Sequence, residues 1–424
     1  MRWLLRRVSR TGVRPLQPLL KFRQLSTFVP SFHNAERVNV PVGSSGSVTI
    51  DLYNLGKVSS SEPLLIYLPP FSTSAEAHSS DLSELPRFTY NLATAVINYR
   101  WTEESSGDQR LDDGASESDD ELPLRRFHPG WPAPLHDTMK AYTWITDNLK
   151  PPTYARRDIY VCGSYLGASL ATSLALTESH PHERMAVRGC VAYNGIYNWT
   201  TFLPDHPINK LDASATRNFL DEILSMPEDP NFQELRQMIS ELFNQPQDLF
   251  DPFVSPCLFF HTPNLLIPPS FDSSALSSES SLEDLDFGWA AGEGTEPVVP
   301  LRQPRKSPLV FPPRKSTLKI PEMLLLHDGA PPSRPSWMRR GQRRKKERPG
   351  NNFWSQAVEL ASLMRRSINM VELKERMKWD EDMDYSSDEA CRRVQVEDVG
   401  RTGRPDQSEY ATANWLEEQI SNRA

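Results

Sequence analysis

Apolar positions along this 424-residue chain recur at two periods, and the switch between them marks out its elements. Val38, Val40 and Val42, then Val48, Ile50 and Leu52, fall on every second residue to either side of Gly43 and Gly46. That alternation predicts two antiparallel strands. Residues 64–68 (Leu-Leu-Ile-Tyr-Leu) are unbroken apolar, as expected of a strand covered on both faces, and 92–99 read the same way. The period lengthens over 134–148, where Leu135, Met139, Tyr142 and Ile145 share one side of a predicted helix. A strand over 158–162 leads through a glycine turn into a small-residue helix ending at Thr177, with Leu166, Leu170 and Leu174 as its core stripe. Another strand follows at 187–193.

Beyond Asn194 the alternation breaks. Helices are predicted over 213–224 and 232–243 with no strand between them, which suggests a helical cap over 194–260. A strand returns at 320–326. A helix over 353–366 is expected to turn Trp354, Val358, Ala361 and Met364 inward, and 368–375 reads as the last strand. An acidic loop over 379–406 and a closing helix over 411–421 complete the chain. Strands alternating with helices of this length predict an α/β protein with a doubly wound, mostly parallel sheet.

Composition adds insertions to that picture. The chain has 37 prolines against 19 glycines, a sign of long connections. Residues 100–122 carry nine acids and two arginines and read as a solvated insert. Residues 264–318 are biased to serine and proline and read as a linker; within them 282–289 (Leu-Glu-Asp-Leu-Asp-Phe-Gly-Trp) mix acids with large apolar residues, a composition able to fold on a partner. The basic insert at 331–350 holds Arg339, Arg340, Arg343, Arg344, Lys345 and Lys346 beside Trp337. It reads either as a solvated charge run or as a contact for RNA phosphates or anionic lipid. The four cysteines and the His180-x-His182 pair lack metal-ligand spacing, so no metal and no cofactor is expected. No run of 18 apolar residues suggests a membrane span.

The first 32 residues carry arginines at positions 2, 6, 7, 10, 14 and 23, with Lys21, and the first acid is Glu36. Trp3, Leu4, Leu5 and Val8 form an apolar face between them. This is the composition of a mitochondrial transit peptide, with cleavage expected after Leu25 and a matrix destination. Removing 1–25 would lower the formal net charge of −8 by seven and leave a domain over 35–424.

The turn at 163–167, Gly163-Ser164-Tyr165-Leu166-Gly167, is the stretch that carries chemistry. A strand, a Gly-x-nucleophile-x-Gly turn and a helix make a nucleophile elbow, and its apex here is Tyr165. With Phe127-His-Pro, His136-Asp137, Tyr142-Thr-Trp144 and Asp251-Pro-Phe-Val-Ser-Pro256 in the same order, the chain resembles the hormone-sensitive-lipase-like esterases of the α/β-hydrolase fold. The resemblance implies an eight-stranded sheet and a triad in the order Ser, Asp, His.

The residues depart from that triad at the nucleophile and at the histidine, and the oxyanion site is altered too. Tyr165 stands where the family has serine, and a phenol with its pKa near 10 is a poor nucleophile. Ser164 could replace it only by a one-residue slip that puts Cys162 and Leu166 where the turn needs glycines. The family's acid maps to Asp328, which also fits a turn ahead of Gly329. No histidine follows His327, so His327 is the one substitute base. The oxyanion-equivalent positions are Pro70, Phe71 and Leu166, and proline has no N–H to donate. The expectation is a pseudo-hydrolase that binds an unknown protein partner or a mitochondrial assembly such as the ribosome. The alternative is an active acyl hydrolase with a rearranged site.

Overall fold

A computed structural model describes residues 36–56, 59, 61–70, 85–101, 130–152, 154–209, 230–271, 303–329, 351–378, 388–400 and 405–423. The segment expected to be a transit peptide, the acidic stretch at 102–122, the helix expected over 213–224, Phe71, residues 272–302 and the basic block with Arg339 to Lys346 lie outside them. The described strands are β1 (Glu36–Pro41), β2 (Ser47–Tyr53), β3 (Leu64–Leu68), β4 (Ala93–Asn98), β5 (Arg157–Ser164), β6 (Met185–Tyr193), β7 (Glu322–His327) and β8 (Val394–Asp398). They form one sheet in the order β1-β2-β4-β3-β5-β6-β7-β8. Only β2 runs against the rest: it is antiparallel to β1 and β4, and every later pair is parallel.

Helices cover both faces, which is why β3 needs no polar residue. Leu64, Ile66 and Leu68 join one core with α1 (Ala133–Asn148), α2 (Leu166–Thr177) and, after the short cap helix α3 (Pro230–Gln237), α4 (Phe353–Ser367). Leu65 and Tyr67 join a second core with Trp415 and Leu416. Those two lie on α6 (Pro405–Ser421), which follows the short α5 (Asp388–Arg393). Each large side chain so buried contributes about 1.5–3 kcal/mol. Helix α2 is buried along its length from Leu166 to Leu176, which explains its alanines, serines and glycine. A Cβ at Gly189 of β6 would come within 2.8 Å of the Trp415 ring, so that ring occupies the space the glycine leaves.

Four expectations from the sequence are corrected. Residues 368–375 are helical: Ile368–Leu373 forms a π-helical turn continuous with α4, and Lys374–Arg376 extends it. No glycine or proline occurs between 351 and 399 to stop α4, so the helix runs on. The last strand is instead β8, inside the stretch read as an acidic loop, with Val394 and Val396 alternating beneath its acids. Helix α4 is rotated from the expected face; it buries Phe353, Ala357, Leu360, Ala361 and Met364, while Val358 is 39% exposed. The Ser/Pro stretch enters the fold at both ends: Leu265 and Phe311 are buried, and the amide of Leu309 donates to the Phe260 carbonyl. The helix expected over 232–243 is present as α3 and a short Ile239–Leu242 turn.

Candidate functional site

The elbow follows from two close approaches. A Cβ on Gly163 would sit 2.3 Å from the Gly167 carbonyl oxygen, and one on Gly167 would sit 2.3 Å from that of Leu68. Both flanking glycines are therefore needed to seat the start of α2 against the end of β3. Between them Tyr165 has φ 51° and ψ −112°, a strained position for any residue with a Cβ. Its amide donates to the Tyr193 carbonyl at 2.9 Å, tying the apex to the carboxyl end of β6.

The phenol of Tyr165 is engaged on several sides. Its ring meets those of Tyr193 and Phe353 edge-on, each with centroids 5.8 Å away. Its oxygen accepts from Asn231 of α3 at 3.0 Å and lies 3.5 Å from the side-chain amide of Asn194. Phe353 in turn packs on Phe232, and Phe232 on Phe202, so an aromatic chain links the apex to the cap.

Asp328 lies at the same edge, just past β7. Its carboxylate accepts from the Tyr193 hydroxyl at 2.7 Å and from the Asn194 side chain at 2.8 Å. Asn194 is fully buried at φ 48°, and its own side-chain oxygen accepts from the Asp328 amide at 2.9 Å. Burial, with Tyr165 and Asp328 adding to it, holds the Tyr193 phenol well above its ordinary value, so it stays a hydrogen-bond donor. Tyr193, Asn194 and Asn231 were not singled out from sequence. The signal for Asn194 was its place between a strand end and Gly195, the turn of chain that faces an elbow.

The remaining sequence candidates fall apart in space. Ser164 continues the side of β5 that carries Tyr160 and Cys162, the α6 side of the sheet, where Tyr67 also packs. His327 continues the opposite side, that of Met323 and Leu325, and its Nδ1 lies 2.9 Å from the Asp328 carbonyl. The two therefore do not converge. Among the described residues no histidine is hydrogen-bonded to Tyr165 or Ser164: His180 pairs with Thr317, His206 accepts from the Ile208 amide, and His261 lies beside Thr262 and Glu359. Leu166 opens α2 directly after the apex, and the Pro69 carbonyl, which lies beside Gly167, accepts from Tyr99 at 2.6 Å. Among the described residues no group of three or more His, Cys, Asp or Glu is arranged to hold a metal ion.

The strand order, the lone reversed strand and the glycine-framed elbow define the α/β-hydrolase fold that the resemblance implied. No protein-family model matches the sequence, and no curated sequence matches it significantly. Similar solved structures include carboxyl esterase 2 of the mycorrhizal fungus Tuber melanosporum (12% identity, 94% of this chain and 89% of that one, TM-score 0.45). A hormone-sensitive lipase from a metagenome library matches at 13% identity over 92% and 87% of the two chains, TM-score 0.41. The thermostable carboxylesterase EstE1 matches at 16% identity and TM-score 0.33, over 54% of this chain and only 65% of that enzyme's length. These likenesses concern the fold.

Proposed function

We propose that this chain is a pseudo-hydrolase: an esterase-like α/β-hydrolase fold that serves binding or assembly in place of ester cleavage. The observation that carries the reading is the occupied apex. Tyr165 stands there with its hydroxyl held by the cap, and the acid that would orient a histidine is bound instead by Tyr193 and Asn194. Loss of the nucleophile leaves at most about 10³–10⁴-fold over water from the rest of such a site. A missing oxyanion donor removes about 10²–10³-fold more. A fluorophosphonate probe tests this on the full chain. No labelling is expected; labelling abolished by Ser164→Ala would establish a displaced nucleophile and refute the reading.

The arginine-rich amino terminus supports a mitochondrial matrix location, and the basic block supports contact with a polyanionic assembly, an RNA-containing one such as the mitochondrial ribosome included. Import assays should yield a mature chain beginning at Ser26. Co-sedimentation with ribosomes should fall with salt and with charge reversal at Arg343 to Lys346, and indifference to both would remove that branch.

A further inference from the structure

Away from the elbow, a groove of about 430 Å³ opens between residues 308–314 and the α4–π-helical stretch. Its apolar lining includes Leu309, Val310 and Met370, which are 46%, 53% and 56% exposed, with Leu363 and Val371 beside them. Arg314, Arg366, Lys374 and Lys378 rim it, against one acid, Glu375. Cations close by that face elsewhere are paired: Arg376 with Glu389 at 3.2 Å and Arg393 with Glu372 at 2.7 Å. None of the four rim cations has an ion pair among the described residues. Unpaired charges around an exposed apolar floor mark a surface built for an acidic, apolar occupant.

We propose that the occupant is this chain's own segment 282–289. Residues 272–301, which join the cap to the groove wall, hold seven acids and no cation. Within them Leu285, Phe287 and Trp289 fall on every second residue, with Asp286 and Gly288 between, and 282–289 carries three acids against the groove's net excess of three cations. The chain rejoins the fold at Arg305 and Ser307, which hydrogen-bond Thr262, and runs on as the groove wall at 308–310. The 16 residues from Trp289 to Arg305 give a root-mean-square reach of about 22 Å. A tether of that length sets a roughly millimolar effective concentration, enough to keep even a weak contact occupied. The other acidic and aromatic stretch, 379–385, is confined by the nine residues between Lys378 and Asp388.

The test uses the full-length chain with a benzophenone amino acid at position 370. Irradiation should give an intramolecular cross-link to 282–289, independent of protein concentration and at least tenfold weaker in the Phe287→Ser/Trp289→Ser variant. A fluorescein-labelled peptide of residues 279–291 should bind that variant, and wild type roughly 10–100-fold more weakly because its groove is filled. Adding Arg366→Glu and Lys374→Glu to the emptied chain should abolish peptide binding while the circular dichroism is unchanged. Equal peptide binding to both chains, binding to neither, or cross-links to 379–387 or to a second polypeptide would each overturn the proposal.

Discussion

Replacing Tyr165 by serine places a hydroxyl where an esterase carries its nucleophile, and it should still give no hydrolase. A serine there would find no general base among the described residues, because Asp328 is bound by Tyr193 and Asn194 and His327 is turned to its own neighbour's carbonyl. Without the base, about 10³–10⁴-fold over water is the most that the remaining site supplies. Pro70, at the oxyanion-equivalent position that the resemblance implies, has no N–H to donate, and loss of one donor lowers that by about 10²–10³-fold. The product is a rate within roughly 100-fold of the uncatalysed reaction. The substitution also removes a half-buried ring and the bond from Asn231, so a loss of about 2–3 kcal/mol is expected, less than the cost of emptying a fully buried aromatic site. Tyr165→Phe keeps the ring contacts and should cost only about 1 kcal/mol. Hydrolysis of p-nitrophenyl acetate, fluorophosphonate labelling and urea melts of the three chains decide the matter. A folded Tyr165→Ser chain that turns over ester with burst kinetics, or labels at position 165 within minutes, would refute the reasoning, since a hidden base would then have to exist.

Three further perturbations follow from the same geometry. Gly167→Ala drives a methyl to 2.3 Å from backbone oxygen that cannot move without shifting β3; a loss above about 4 kcal/mol or failure to fold is expected, whereas Ala168→Gly should cost about 1 kcal/mol in the same melts. Glu359 is partly buried, which opposes ionisation, but His261 at 3.7 Å and Lys306 at 3.3 Å more than offset this and lower it to about 2. Its folded pKa lies below its unfolded one, so its stabilisation, on the order of 2 kcal/mol, is complete above about pH 4.5 and lost as pH falls toward 2; Glu359→Gln should flatten that part of the profile. Gly189→Ala presses on the Trp415 ring at 2.8 Å, and lower stability with a shifted near-ultraviolet tryptophan signal is expected; an unchanged melt would show that α6 adjusts freely.

Much of the sheet was legible because buried parallel strands must be continuously apolar and the helices over them must be amphipathic. Leu64–Leu68 and the stretch from Arg157 to Thr177 leave no other reading. The elbow was legible down to its apex, since two glycines four residues apart are forced by backbone contacts within the turn. The last strand was not. Val394–Asp398 lies at the sheet's edge with only Val394 fully buried, so its acids outweigh its alternation, while Ile368–Leu373 offers apolar residues in number but follows a helix that nothing ends. The polar partners of Asp328 and Tyr165 were hidden for a different reason: Asn194 sits in a connection and Asn231 at the start of α3, their positions depend on the packed sheet and cap, and no local pattern announces them.

The elbow's strain then has a physical account that needs no chemistry. Holding Tyr165 at φ 51° costs of order 1–3 kcal/mol. Two edge-on ring pairs return about 0.5–1.5 kcal/mol each, and the bond from Asn231 about 1 more. These contacts tie three parts of the chain together at the apex: the β6 edge through Tyr193, α4 through Phe353 and the cap through Asn231. In a hydrolase that space must stay open for an acyl group, so the same turn cannot also serve as a joint. Here the phenol fills it, and the strained backbone is retained because only that backbone aims the side chain at all three partners.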